Sequence, residues 1–162
     1  MLTEKLLLEL QAYIGAHQKC VEYVLSAPSY PLELAESELF SYVRHKRKPG
    51  FQQLLFRFID EKGAPDAAIY KKAGLDRRHF SKIRSNPGYR PGKNTVLALA
   101  IALELDKEET SQLLAAAGYS LSESDTFDLV ILFCLEKKIY DLDTINHALD
   151  YFSLKPLAGA LE

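Results

Sequence analysis

The stretch KKAGLDRRHFSKIRSN, from Lys71 to Asn86, decides how this chain is read. Leu75, Phe80 and Ile83 are its only large apolar residues, and offsets of five and three positions put them on one side of an α-helix facing a core. Arg77, Arg78, Ser81, Lys82 and Arg84 are left to look outward. Asp76 stands directly before them as an N-cap, and Ala73 and Gly74 precede it as a break. Whether this basic face meets water or a polyanion depends on what surrounds it.

The surrounding charge is uneven. Over the whole chain the formal net charge is −2, yet residues 44–93 hold fourteen Lys/Arg against four Asp/Glu, a local balance of +10 that leaves −12 for the rest. A basic segment inside an acidic protein points to a polyanionic partner for that segment alone. With 162 residues, nearly half of them apolar, the chain can bury a core as one domain or one domain plus an extension. No apolar run approaches the roughly 20 residues of a membrane span, and no secretory leader pattern opens the sequence, so the expected location is cytoplasmic. Cys20 and Cys134 sit apart within apolar helical patterns, which suits buried free thiols better than a disulfide or a zinc site. The final Leu-Glu at 161–162 reads as a cloning remnant.

Apolar positions recur at three and four rather than two, so the expected class is all-α. The first helix is expected from Thr3, as cap, to about Leu25, ahead of Pro28, with Leu7, Ile14 and Val21 repeating every seven residues. Such a face suits either packing on the rest of the chain or a homodimer through the N-terminal helix. A second helix is expected from about Leu32 to Lys46, ending in the basic run RHKRK at 44–48. FQQLLFRFIDEKG (51–63) and APDAAIYKKAGL (64–75) follow as short helices closed by glycine. PGYRPGKN (87–94) is a loop, TVLALAIALEL (95–105) a central apolar helix, and the chain ends in further helices broken near Tyr140.

Two short helices joined through a small residue and a glycine form the pattern of a helix-turn-helix, because the close crossing needs Ala73 and the left-handed turn needs Gly74. Phe80 and Ile83 would then anchor the second helix while its first turns project into a major groove. On that expectation Arg77, Arg78, Ser81 and Lys82 touch bases, since arginine grips guanine in a bidentate manner. Arg84, Tyr89, Arg90, Lys93, Lys46 and Arg47 are expected to hold phosphates.

Residues from Phe51 onward resemble the lambda-repressor-like, Xre-type helix-turn-helix domains of bacterial regulators. YKKAGLDRRHFSKIRSNPGYRPGKNTVLALAIALELDKEET, followed by AAAGYSLSESDTFDLVILFCLEKKIYDLDTINHAL, is more closely similar to a bacterial family that carries this region alone or behind phosphatase-like, macro or von Willebrand A domains. The resemblance covers about two thirds of the chain. It implies the fold and a nucleic-acid-binding role, and it supplies no established ligand. Where that family ends in an apolar and acidic FDQ-type tail, this chain has YFSLKPLAGA (151–160).

The plainer readings stand beside these. RHKRK also suits a soluble helix end, where cations complement the dipole, and helix-turn-helix geometry serves protein-binding domains too. Enzyme chemistry finds little footing: His17, His45, His79 and His147 are scattered without metal-ligand spacing, and there is neither a glycine-rich phosphate loop nor a nucleophile elbow. His147 falls in an apolar helix, where a core or interface role is expected. Acid pairs such as Glu108 and Glu109, or Asp141 and Asp143, read as helix starts.

The resulting expectation is an all-α helical bundle with a central lambda-repressor-like helix-turn-helix unit: an extension at 1–49, the unit at 50–119, and a helical pair at 120–160. The expected function is double-stranded DNA binding as a non-enzymatic transcriptional regulator, with no cofactor and no metal. The alternative is a protein-interaction adaptor built on the same fold; RNA binding ranks lower because no aromatic pair offers itself for stacking on single-stranded bases.

Overall fold

The computed structural model describes residues 4–17 and 32–157. Every regular element among them is an α-helix and none is a strand. The expected cap at Thr3, the continuation of the first helix to Leu25, Cys20 and the terminal Leu-Glu lie outside the described residues. The chain divides into two compact units, residues 1–47 and 48–162.

The first unit contains α1 (Glu4–His17) and α2 (Leu32–Lys46). On α1, Leu6, Leu7, Leu8, Leu10 and Tyr13 are all exposed, and on α2 so are Leu39, Phe40, Tyr42 and Val43. Arg44, His45 and Lys46 fill the last turn of α2, where cations complement the helix dipole.

The second unit is built from α3 (Phe51–Lys62), α4 (Asp66–Lys72), α5 (Arg77–Ser85), α6 (Lys93–Ala102), α7 (Lys107–Ala116), α8 (Thr126–Glu136) and α9 (Leu142–Tyr151). Its centre is α6. Every residue from Val96 to Leu103 is buried, as an apolar helix without a polar face must be. Around α6 pack α4, α7 and α9, while α3 rests on α7 and α8 on both α7 and α9. A single apolar cluster runs from Phe51 to Leu157 through all of these helices.

Five of the helix ends follow one rule. After α4, α6, α7, α8 and α9 the chain places one residue in the left-handed region: Gly74, Glu104, Gly118, Lys138 and Ser153, with φ of 68°, 54°, 84°, 56° and 56°. In each case the next amide, of Leu75, Leu105, Tyr119, Ile139 or Leu154, donates back to a carbonyl five residues earlier at 2.8–3.0 Å. This is the Schellman closure, in which the left-handed residue turns the chain and the following apolar side chain seals the helix against the core. The helix expected over 95–105 is therefore shorter and shifted, running from Lys93 to Ala102, because Glu104 accepts a conformation that glycine would adopt at lower cost.

Candidate nucleic-acid interface

The basic stretch forms α5, and its start is fixed locally. Asp76 is extended, and its carboxylate accepts from the Arg78 N–H at 3.2 Å, satisfying one of the amides that a helix start leaves unpaired. Ahead of it, Gly74 takes the left-handed turn, while Ala73 is fully buried beneath the junction of α4 and α5. Leu75 is half-buried against the core. Phe80 and Ile83 are buried, Phe80 lying between the rings of Phe56 and Tyr70 at centroid distances of 6.0 and 5.6 Å. Each buried side chain contributes on the order of 2 kcal/mol to holding α5 in place.

With that face occupied, Arg77, Arg78, Ser81 and Lys82 are all exposed along the opposite side. Neither Arg77 nor Arg78 belongs to any ion pair among the described residues. Both stand in the first turn, where their charges oppose the positive end of the helix dipole and only the Asp76 carboxylate at the N-cap offsets them. That arrangement costs a few tenths to about 1 kcal/mol per cation at an exposed site. Local stability therefore does not account for the two arginines, whereas an anion outside the helix would gain from both them and the dipole.

The loop after α5 is ordered by its own hydrogen bonds. Asn86 caps a turn with Pro87 and Gly88, its side-chain oxygen accepting from the Gly88 N–H and its carbonyl from the Tyr89 N–H, both at 3.1 Å. Tyr89 then folds back on α5: its hydroxyl is 3.1 Å from His79 Nε2, its ring meets the His79 ring edge-on at 6.0 Å, and Lys82 Nζ lies 4.6 Å over its face. Tyr119 donates its hydroxyl to the Pro91 carbonyl at 3.1 Å and holds the far side of the loop. Arg90 is exposed at the edge of this assembly, close to Gly118.

The expected phosphate contacts separate into groups. Tyr89 and Arg90 stand beside α5. Arg84 is engaged in structure: its guanidinium pairs with Asp66 at the start of α4 and lies 5.3 Å from the Phe56 ring centroid, while its carbonyl accepts from the Gln52 side chain. Lys93 turns inward, its ammonium 2.8 Å from both oxygens of Asp128, a residue only 3 % exposed. This carboxylate also accepts from the Ser122 N–H at 2.8 Å. Lys46 and Arg47 are exposed and belong to the first unit.

Sequence reasoning weighs His79 only as a metal ligand and assigns no role to Gln52, Asp66 or Asp128. Asp128 gave a usable signal, since an acid within the apolar run FDLVILF must find a cation or hydrogen bonds when that run is buried. Gln52 and Asp66 gave none, because their partners lie on other helices. Of the two places expected for His147, the core one needs correcting: it is exposed on α9, whose buried positions are Ile145 and Leu149, spaced by four so that His147 falls off their face. Cys134 is a buried free thiol whose pKa burial pushes up, as expected for an inert core cysteine.

Among the described residues no group of three or more His, Cys, Asp or Glu side chains is placed to hold a metal ion, and no helix is long and apolar enough to cross a membrane. No family model, curated protein or solved structure matches the chain.

Proposed function

We propose that this protein binds double-stranded DNA through α5 and acts as a non-enzymatic transcriptional regulator, with α4 and α5 forming a lambda-repressor-like helix-turn-helix. The observation that carries the reading is the pair of arginines at an exposed, dipole-disfavoured helix start, on a helix whose other face is anchored by Phe80 and Ile83. In this reading Arg77, Arg78 and Ser81 meet base edges and Arg90 holds a phosphate. Lys82 and Tyr89 act together, the ring steadying the ammonium beside the groove. Lys93 is left out, because its charge is already taken up by Asp128, and Arg84 serves chiefly to fix α5 against α4.

Fluorescence anisotropy of a labelled random duplex, titrated at several salt concentrations, tests the proposal. The wild type is expected to bind with an affinity that falls steeply with salt, and Arg77→Ala/Arg78→Ala to lower the slope of log K against log salt by about 2 for each α5 engaged, one for each cation withdrawn from the field of the phosphates that flank the groove. Absence of binding at low salt, or an unchanged slope in the double variant, overturns it. A protein adaptor using the same face would then be the better account.

A further inference from the structure

The second helix of the first unit carries its charges in an order that suggests what covers it. On α2, Glu36, Phe40, Val43, Arg44 and Arg47 recur at four, three, one and three positions, which places them along one stripe of the helix. The stripe continues to Arg47, whose N–H donates to the Val43 carbonyl at 3.0 Å. All of these residues are exposed, and Phe40, in the middle, is 72 % exposed. Two shallow hollows flank it, one bordered by Glu36, Ser37 and Arg44, the other by Val43, Arg44 and Arg47. Phe40 and Val43, one turn apart, form an exposed apolar patch of the kind that marks an interaction surface.

We infer that α2 pairs antiparallel with α2 of a second copy of this chain about a two-fold axis through Phe40. An isologous contact must be self-complementary, each patch meeting its own image. With residue 40 on the axis, position 36 faces 44 of the partner helix and position 37 faces 43. Glu36 is therefore brought to the cation at position 44, twice by symmetry, and the small Ser37 faces the branched Val43, leaving room for the two phenylalanine rings to meet. A parallel pairing would instead set Glu36 against its own copy and the basic ends against each other. Glu36 and Arg44 belong to no ion pair among the described residues, so both charges are available. The purpose of the pairing rests on the DNA-binding reading: one unit buries little surface on a duplex, and two copies joined through α2 would supply two α5 helices where one gives too small a contact.

Charge reversal tests the arrangement by sedimentation equilibrium without DNA. The wild type is expected to be dimeric at micromolar concentration. Glu36→Arg alone and Arg44→Glu alone each turn two attractive contacts into repulsive ones and should weaken the dimer about tenfold. The double variant Glu36→Arg/Arg44→Glu restores complementarity in every copy and should return the dissociation constant to within about threefold of wild type. Phe40→Ala, at an exposed position, should give a monomer with unchanged helix content by circular dichroism. A wild type that stays monomeric to about 100 µM, where only interactions weaker than about 5.5 kcal/mol escape detection, overturns the proposal. So do single reversals without effect and a double reversal that fails to restore. Anisotropy on the same samples keeps the two readings apart: a monomer that binds duplex sinks the pairing alone, and a dimer that does not bind sinks the DNA reading alone.

Discussion

Asp128 and Lys93 lie on different helices, and their ion pair joins the start of α6 to the first turn of α8. Apolar spacing alone identified Phe80 and Ile83 as anchors, because both sides of that inference sit on one helix. It could not assign Lys93, whose neighbours in sequence are loop residues and whose partner arrives from α8. Read as a loop cation, Lys93 is expected at a phosphate, whereas its ammonium pairs with Asp128. Removing Asp128 would leave the ammonium, its side chain 28 % exposed, and the Ser122 N–H without their acceptor. Asp128→Ala is expected to lower the unfolding free energy measured in urea by about 2 to 3 kcal/mol, less than for a fully buried pair because Lys93 can partly rehydrate. Asp128→Asn, which still accepts from Ser122, should cost about half as much. A loss under about 0.5 kcal/mol for the alanine variant would show that the pair contributes nothing net.

At the level of elements, the helices were legible where glycine or proline punctuates them and blurred where other residues do the same work. Gly63 and Gly74 mark ends correctly, since a left-handed turn is the conformation glycine adopts most easily. Glu104, Lys138 and Ser153 make the same turn without that signature, so periodicity alone carries α6 on to residue 105, while the break near Tyr140 does fall in the turn between α8 and α9. What decides these positions is the apolar residue that follows: Leu105 is fully buried, and Ile139 and Leu154 pack against the core. Each burial offsets a left-handed cost of about 1 kcal/mol. Lys138→Gly relieves that cost and touches no ion pair among the described residues. It should raise the unfolding free energy by about 0.5 kcal/mol, some of the gain being lost to the freer unfolded chain. A melting temperature that falls in this variant would contradict the Schellman account of the α8 end.

On the scale of the whole molecule, the distribution of apolar surface separates the two units. Among the described residues every member of the buried core cluster lies between Phe51 and Leu157, whereas the large apolar side chains described on α1 and α2 are exposed. The heptad spacing of Leu7, Ile14 and Val21 drew attention to α1 as a dimer seam, but it could not show that α2 carries a self-complementary charge order, because that order matters only once a second copy is placed against it. Folding and pairing should therefore come apart on truncation. A chain comprising residues 48–162 keeps the whole core cluster and every helix that supports α5, so it is expected to unfold cooperatively with a melting temperature within about 3 °C of the full chain at concentrations where the latter is monomeric. The same piece should sediment as a monomer at all concentrations, and its duplex binding should keep its dependence on Arg77 and Arg78 while showing about half the salt slope of the paired full chain, since each complex then neutralises one set of phosphates rather than two. Loss of cooperative unfolding in the truncated chain would mean that residues 1–47 complete the core, and an unchanged slope would mean that a single α5 already accounts for all of the phosphates neutralised.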